Sequence, residues 1–290
     1  MRLILTLTCP DRPGIVHAVS GFLLAQSGNI LEAAQYDDAV TGVFYMRVCF
    51  EMGKSDARSP AQMDELFAPL ASEFGMKARF AEAARPIPTI IMVSQHGHCL
   101  HDLLFRLRSG VLPIEVRAIV SNHRDFYQLA ASYNIPFHHI PVKADTKAAA
   151  EAKLLDLFES EGGELLVLAR YMQVLSDDLC RKLSGRAINI HHSFLPSFAG
   201  AKPYHQAARP YQQAHDRGVK LIGATAHYVT GDLDEGPIIE QDVARASHGM
   251  DVNTLTTLGR DTESAVLARA VKWHAEHRIL LDGHKTVVFR

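Results

Sequence analysis

The sequence is short of cysteine: Cys9, Cys49, Cys99 and Cys180 are its four, far apart and with no CxxC pair among them. Such sparse use excludes a disulfide framework and suits a reducing cytosol, so a cytoplasmic protein is expected. Long apolar runs are missing as well, and none approaches the roughly 18 residues of a membrane-spanning helix. The apolar start Leu3 to Leu7 breaks at Cys9-Pro10-Asp11-Arg12, too early for a signal peptide. No excess of either charge exists, with 30 Lys+Arg against 32 Asp+Glu. A nucleic acid or an anionic membrane is therefore not an expected partner. There is no fixed-period repeat and no low-complexity tract. What the chain does have is 47% hydrophobic residues, enough for real cores over 290 residues, and 16 histidines. The histidines invite a metal hypothesis.

Ala84-Arg85-Pro86-Ile87-Pro88 divides the chain, because two prolines one residue apart cannot continue a helix and favour extended backbone. Residues 1–83 are expected as one domain, 84–88 as a linker and 89–290 as a second, larger domain. In the first, Arg2 to Thr8 alternates as a half-buried strand does. Ile15, Val19, Phe22 and Leu23 then have helical spacing, and Gly28-Asn29 is expected to stop that helix. Strands are expected over Ile30–Asp37 and Gly42–Glu51, a helix over Pro60–Phe74 and a strand over Met76–Phe80. This βαββαβ order, with DRPGIV at the first strand–helix turn, resembles the ACT domain, a ferredoxin-like module. The resemblance implies side-by-side pairing into at least a dimer. It also implies a possible amino-acid effector, methionine or glycine, at Asp11, Arg12, Pro13, Gly14 and Ile15, where free backbone N–H groups at a helix start favour a carboxylate.

The second segment alternates strands with helices and predicts an α/β fold with a mostly parallel, Rossmann-like sheet. Thr89–Ser94 is a continuous apolar run of buried-strand type. Helices are expected over Cys99–Arg108, Arg124–Tyr133, Thr146–Ser160 (capped by Thr146), Asp177–Leu183 and Asp251–His277. Further strands are expected over Glu115–Ser121, Phe137–Ile140, Leu165–Ala169 and Ala187–Ile190. Asn189 and His191 lie two apart at a strand end and so share a face. An amide donor beside an imidazole suits a developing oxyanion in acyl transfer. His192 points the other way. Downstream, GATAHYVTGDLDEGPII reads as strand, acidic loop and strand, and Asp234 there is placed to orient an imidazole or steer a proton. Either stretch alone is a weak signal.

Together, NIHHSFLPSF and ATAHYVTGDLDEGPII resemble the formyltransferase catalytic domain, which handles 10-formyltetrahydrofolate. The resemblance implies a catalytic trio of Asn189, His191 and Asp234. It implies a folate-binding segment at Arg170, Tyr171, Met172, Gln173, Val174 and Leu175, with a pterin-facing loop at Thr230, Gly231, Asp232, Leu233 and Asp234. An ACT-like domain ahead of this one is similar to the formyltetrahydrofolate deformylase family, as are HCLHDLL and HHSFLPSFAGAKPYHQA. Where ribonucleotide formyltransferases have a Gly-rich phosphate loop, Ser94-Gln95-His96-Gly97-His98-Cys99-Leu100 has one glycine and offers fewer free N–H groups. The resemblance thus implies hydrolysis of the formyl donor to formate and tetrahydrofolate, with formate serving purine biosynthesis and no cofactor required. A formyltransferase acting on an amine (glycinamide ribonucleotide or an amino sugar) and a catalytically silent amino-acid sensor are the alternatives. No metal is expected, since no HExxH or paired CxxC occurs, although His98 and His101 share a helix face. Trp273 is expected in the core, and Lys202 and Arg209 are candidates for the folate tail or plain surface.

Overall fold

The computed structural model describes residues 1–53, 55–196 and 210–290, and its contacts divide the chain into two units. The first comprises Met1–Arg85 with Glu276–Asp282 and Val287–Arg290; the second comprises Pro86–Ala275 with Gly283–Thr286.

In the first unit β1 (Arg2–Pro10), α1 (Ile15–Ala25), β2 (Gly28–Asp38), β3 (Val43–Met52), α2 (Pro60–Phe74) and β4 (Lys77–Glu82) follow in order. The sheet runs β2-β3-β1-β4 with antiparallel neighbours, the ferredoxin-like arrangement. Leu3, Leu5 and Leu7 of β1 meet Val19 and Leu23 of α1 and Phe67 of α2 in one core. The rings of Phe22 and Phe67 cross edge-to-face at 4.9 Å. Helix α2 starts at a full capping box, Ser59 with Gln62, and ends on left-handed Gly75. Helix α1 stops differently from expectation. Ser27, not Gly28, takes the left-handed conformation (φ 59°), while Gly28 opens β2 where a Cβ would stand 3.0 Å from the Phe50 ring.

Strand β1 is also more buried than alternation suggests, since Ile4 on its other face is inaccessible too. That second sheet face carries Tyr45, which packs with Leu280 and Phe289. Buried Arg47 on the same strand donates to the carbonyls of Glu276 and His277 and pairs with Glu32 at 3.2 Å. Residues 276–282 and 287–290, expected in the catalytic domain, thus group with the first unit because its sheet has a second face to cover.

The second unit contains β5 (Ile87–Val93), α3 (His98–Arg108), β6 (Ile114–Ser121), α4 (Tyr127–Ser132), β7 (Phe137–His139), α5 (Lys147–Ser160), β8 (Leu165–Leu168), α6 (Asp177–Lys182), β9 (Ala187–His191), α7 (Pro210–Asp216), β10 (Leu221–Tyr228), β11 (Ile238–Arg245) and α8 (Val252–Ala275). Its seven-stranded sheet has the order β11-β10-β9-β8-β5-β6-β7. The five strands β5 to β9 are parallel; β10 runs against them, and β11, antiparallel to β10, runs with them at the sheet edge. Ile87 and Pro88, placed in a linker by the sequence reading, already belong to β5. Pro88 is tolerated there because its carbonyl still accepts from the Glu164 amide. Thr146 does precede α5, but its hydroxyl turns back to Lys143 and caps nothing. Trp273 is only half-buried; Leu255, Val266, Leu267 and Val271 form the core side of α8. Among the described residues no helix is long and apolar enough to cross a membrane.

Candidate active site

The site is built over the β9–β10 pair. Period two places Asn189 and His191 on one face of β9, and the antiparallel register sets His227 opposite Asn189 and Thr225 opposite His191. Because β10 runs against β9, the chain leaves it near the start of β9 and must double back to reach His191. The 229–237 loop does this. Gly236 is indispensable to the return, since a Cβ there would sit 1.7 Å from the Tyr228 carbonyl oxygen, a contact no side chain tolerates. Pro237 O accepts from Tyr228 N and closes the turn.

The loop delivers Asp234 in a left-handed conformation (φ 59°) with its carboxylate buried. Its Oδ1 lies 3.3 Å from His191 Nδ1 and 3.8 Å from His227 Nε2. These are ion-pair separations, not aligned hydrogen bonds. Among the described protein atoms both Asp234 oxygens and His191 Nε2 lack a hydrogen-bond partner, which leaves them to the reacting molecules. Burial would raise the Asp234 carboxyl, but the adjacent His191 imidazole holds it below the usual range. Asp234 is therefore the ionised partner.

His227 is the residue that sequence reasoning missed, although it stands inside ATAHYVTGDLDEGPII. Its Nδ1 lies 2.9 Å from the Tyr228 carbonyl, which only an N–H can satisfy, so Nε2 carries the lone pair. That lone pair accepts from Asn189 Nδ2 at 3.2 Å. Burial holds His227 below the ordinary imidazole range and keeps it neutral. One amide N–H of Asn189 is thus fixed, and the other is free to meet an oxyanion. Only the strand register reveals this partnership, and a single sequence does not show register.

Beside these groups opens a cleft of about 480 Å³. Of the expected folate segment, Tyr171, Gln173, Val174 and Leu175 line it, and so do all of Thr230, Gly231, Asp232, Leu233 and Asp234. Asn189 and His227 lie on its wall. A second hollow of about 320 Å³ shares Tyr171, Gln173, Val174 and Leu175. Burial raises the Tyr171 phenol to about 12, so it faces the cleft neutral. Met172 is not a lining residue; its amide donates to Ser94 Oγ, which in turn bonds Asn122 Oδ1 and pins the segment to the sheet. Arg170 departs from expectation. Its backbone is left-handed (φ 63°) and its buried guanidinium points away from the cleft, with Nε 3.3 Å from Glu263 Oε2. Consecutive residues that far from an extended backbone do not alternate as period two predicts.

The remaining expectations fall as follows. His192 lies beside His191, ring centroids 5.0 Å apart, and burial with nearby Arg170 lowers it to about 4. His101 packs edge-on against Phe126, so it forms no pair with His98. Lys202 and Arg209 lie outside the described residues, as does most of HHSFLPSFAGAKPYHQA.

The family model described as formyl transferase matches residues 88–271. A protein of Corynebacterium sp. (strain P-1) called formyltetrahydrofolate deformylase is 51% identical, over 100% of this chain and 99% of its own. The chain belongs to the formyltetrahydrofolate deformylase family. The crystal structure of formyltetrahydrofolate deformylase from Burkholderia mallei superposes with a TM-score of 0.91 at 49% identity, covering 100% of this chain and 99% of that one. Glycinamide ribonucleotide transformylase 1 from Symbiobacterium toebii is a more distant likeness, with a TM-score of 0.63 at 28% identity over 71% of this chain and 95% of that one. The shared sheet and the full-length relatives bear out the α/β fold and the deformylase family expected from the motifs.

Proposed function

We propose that this protein hydrolyses 10-formyltetrahydrofolate to formate and tetrahydrofolate, using Asn189, His191 and Asp234 with His227 as a positioning residue. The convergence of His191 and Asp234 at 3.3 Å beside the cleft is the observation that carries this reading. Folate lies along Tyr171, Gln173, Val174 and Leu175 and under the 230–234 loop, which brings the formyl carbon over Asn189 and His191. Ionised Asp234 takes a proton from water as its oxygen attacks that carbon. The resulting oxyanion meets the second amide N–H of Asn189 and the Nε2–H of His191. As the carbon–N10 bond breaks, Nε2–H passes its proton to N10. The proton on Asp234 then passes through water to the vacated Nε2 of His191, and formic acid ionises on release. Atoms balance with water alone as co-reactant.

The first unit serves, in this reading, as an ACT-type assembly and effector module. Strand β2 is an 11-residue strand at a sheet edge with exposed Ile30, Leu31 and Tyr36, which supports pairing with a second copy. Gly14 caps α1 with no side-chain hydrogen bond, which supports an amino-acid carboxylate at Gly14 and Ile15. Arg12 is already committed, with Nη2 on the Glu73 carbonyl and its guanidinium 3.9 Å over the Phe74 ring. The deciding experiment mixes purified protein with 10-formyltetrahydrofolate alone and measures formate. Stoichiometric formate and tetrahydrofolate are expected, and an inert donor in the absence of any amine would overturn the proposal. Repeating the assay with methionine and with glycine tests the effector role.

A further inference from the structure

We propose that the crevice at the switch point of the second sheet is filled by a plug of the protein's own side chains, Glu263, Arg170, His98 and Tyr211, and that this plug restricts the formyl acceptor to water. The proposal rests on the deformylase reading and names what sets its specificity. From β5 the chain builds outward through β6 and β7, then returns to place β8 on the other side of β5. The loops leaving β5 and β8 diverge there. In doubly wound sheets that divergence forms the ligand crevice, and the helix after the first strand turns its N-terminus into it as an anion site.

Here the crevice is occupied. Gly97, just before α3, lies so close under Phe126 that a Cβ would stand 2.3 Å from the ring. His98 Nε2 lies 2.8 Å from Glu263 Oε2, and Arg170 Nε lies 3.3 Å from the same oxygen. Tyr211 donates its hydroxyl to Oε1 at 2.6 Å. Glu263 is 1% exposed; burial would raise its carboxyl, yet Arg170, His98 and Tyr211 bring it down to about 2. The helix start thus already has an anionic neighbour in Glu263, and the Arg170 and His98 cations nearest it are turned to that carboxylate. Gly259 in α8 explains how Tyr211 reaches in, because a Cβ at 259 would fall 2.1 Å from the Tyr211 hydroxyl.

The plug borders the catalytic groups. Arg170 belongs to it and the next residue, Tyr171, lines the folate cleft. His192, uncharged, lies beside His191 and near Arg170. A transformylase shares this sheet, and transfer to a ribonucleotide would need a phosphate and an amine accommodated where the plug side chains stand. The plug is not a metal site, although ligand atoms of His98, Cys99 and Glu263 lie within 4.8 Å of one another. Arg170 neutralises the carboxylate, and burial with Glu263 nearby pushes the Cys99 thiol up and keeps it protonated.

Glycinamide tests the proposal. Its formylation breaks the carbon–N10 bond, forms a carbon–nitrogen bond, and moves one amine proton to N10. The donor is turned over with rising glycinamide by wild type, Gly259→Ala, Tyr211→Ala and His98→Ala, and formate and N-formylglycinamide are counted by NMR. Wild type is expected to give formate only at every concentration. Gly259→Ala and Tyr211→Ala, checked for fold by circular dichroism, are expected to raise N-formylglycinamide at least about tenfold above wild type. Tyr211→Phe keeps the ring and is expected to behave as wild type. Comparable formate and N-formylglycinamide from wild type would overturn the plug, and so would opened variants that release formate yet formylate no more amine than wild type. His98→Ala, which removes a partly exposed member, decides the matter if the other two variants do not fold. Failure of the deformylase reading is separate: no formate from wild type without amine.

Discussion

Asp234→Asn separates catalysis from stability. The carboxylate stands 3.3 Å from His191 Nδ1. At an effective dielectric of 20, two unit charges at that distance attract by about 5 kcal/mol, an upper bound on the ion pairing that the substitution can remove. General bases contribute roughly 10²–10⁴ in rate. A fall in kcat/KM of about 10³, equivalent to about 4 kcal/mol, follows. The fold should barely notice. Asparagine is isosteric and adopts the left-handed backbone of residue 234 at least as readily as aspartate. Burial and imidazole attraction oppose one another at this carboxyl, with attraction ahead. The charge therefore contributes a small stability present above the unfolded value of ~3.9, lost as pH falls through the lower folded value. The melting temperature at pH 7 is expected to shift by less than about 4 °C, and the gap to wild type should narrow in acid. Formate release by stopped flow and thermal melts at two pH values measure both halves. A variant within tenfold of wild-type kcat/KM would refute the role given to Asp234, and a collapse in stability would refute the charge balance.

Three further outcomes are expected. Gly236→Ala drives a methyl into the Tyr228 carbonyl, so the Asp234 loop must shift; kcat/KM should fall at least about 100-fold and stability by about 1–3 kcal/mol, measured by formate assay and urea unfolding. Ser94→Ala leaves the Met172 amide and Asn122 unpaired beneath the folate segment, and KM for the donor should rise several-fold with little change in kcat. Glu263→Gln removes a carboxyl depressed from 4.5 to about 2, worth about 3 kcal/mol at pH 7. That stability is fully present above pH ~4.5 and lost toward pH ~2, so the urea midpoints of wild type and variant should converge in acid.

The convergence of Asn189, His191 and Asp234 was legible only in part: period two puts the first two on one face, and it was the family resemblance that tied them to the third. The acidic loop was legible for the same reason. His227 was not, since its role depends on lying opposite Asn189 in an antiparallel pair. The C-terminal residues were not legible either. Arg47, Tyr45, Leu280 and Phe289 meet only once the first sheet exposes a second face, a non-local event without a periodic signature. Ser27 stopped a helix that Gly28 was expected to stop, because Gly28 was needed under Phe50 and left the turn to its neighbour. Trp273 shows the limit of helical spacing, which identifies an apolar stripe but not where along it the neighbouring sheet ends.

Arg170 and Asp234 share a cause. Of the non-glycine residues described with positive φ, these two are the buried ones. Left-handed backbone costs an L-residue about 1–2 kcal/mol, so each persists only where its surroundings over-determine it. At Asp234 the Gly236 return and the imidazoles do so; at Arg170 the ion pair with Glu263 and the Ser94–Arg170 backbone bond do so. The consequence at each is to redirect a side chain in the loop that follows a strand. One redirection brings a carboxylate back over a strand the chain has already left. The other turns a guanidinium out of the folate cleft and into the crevice behind it. Sequence periodicity assumes regular backbone, so it misreads side-chain direction where regularity is broken. In the proposed reaction one of those positions supplies the base, and in the proposed plug the other helps close the site to competing acceptors.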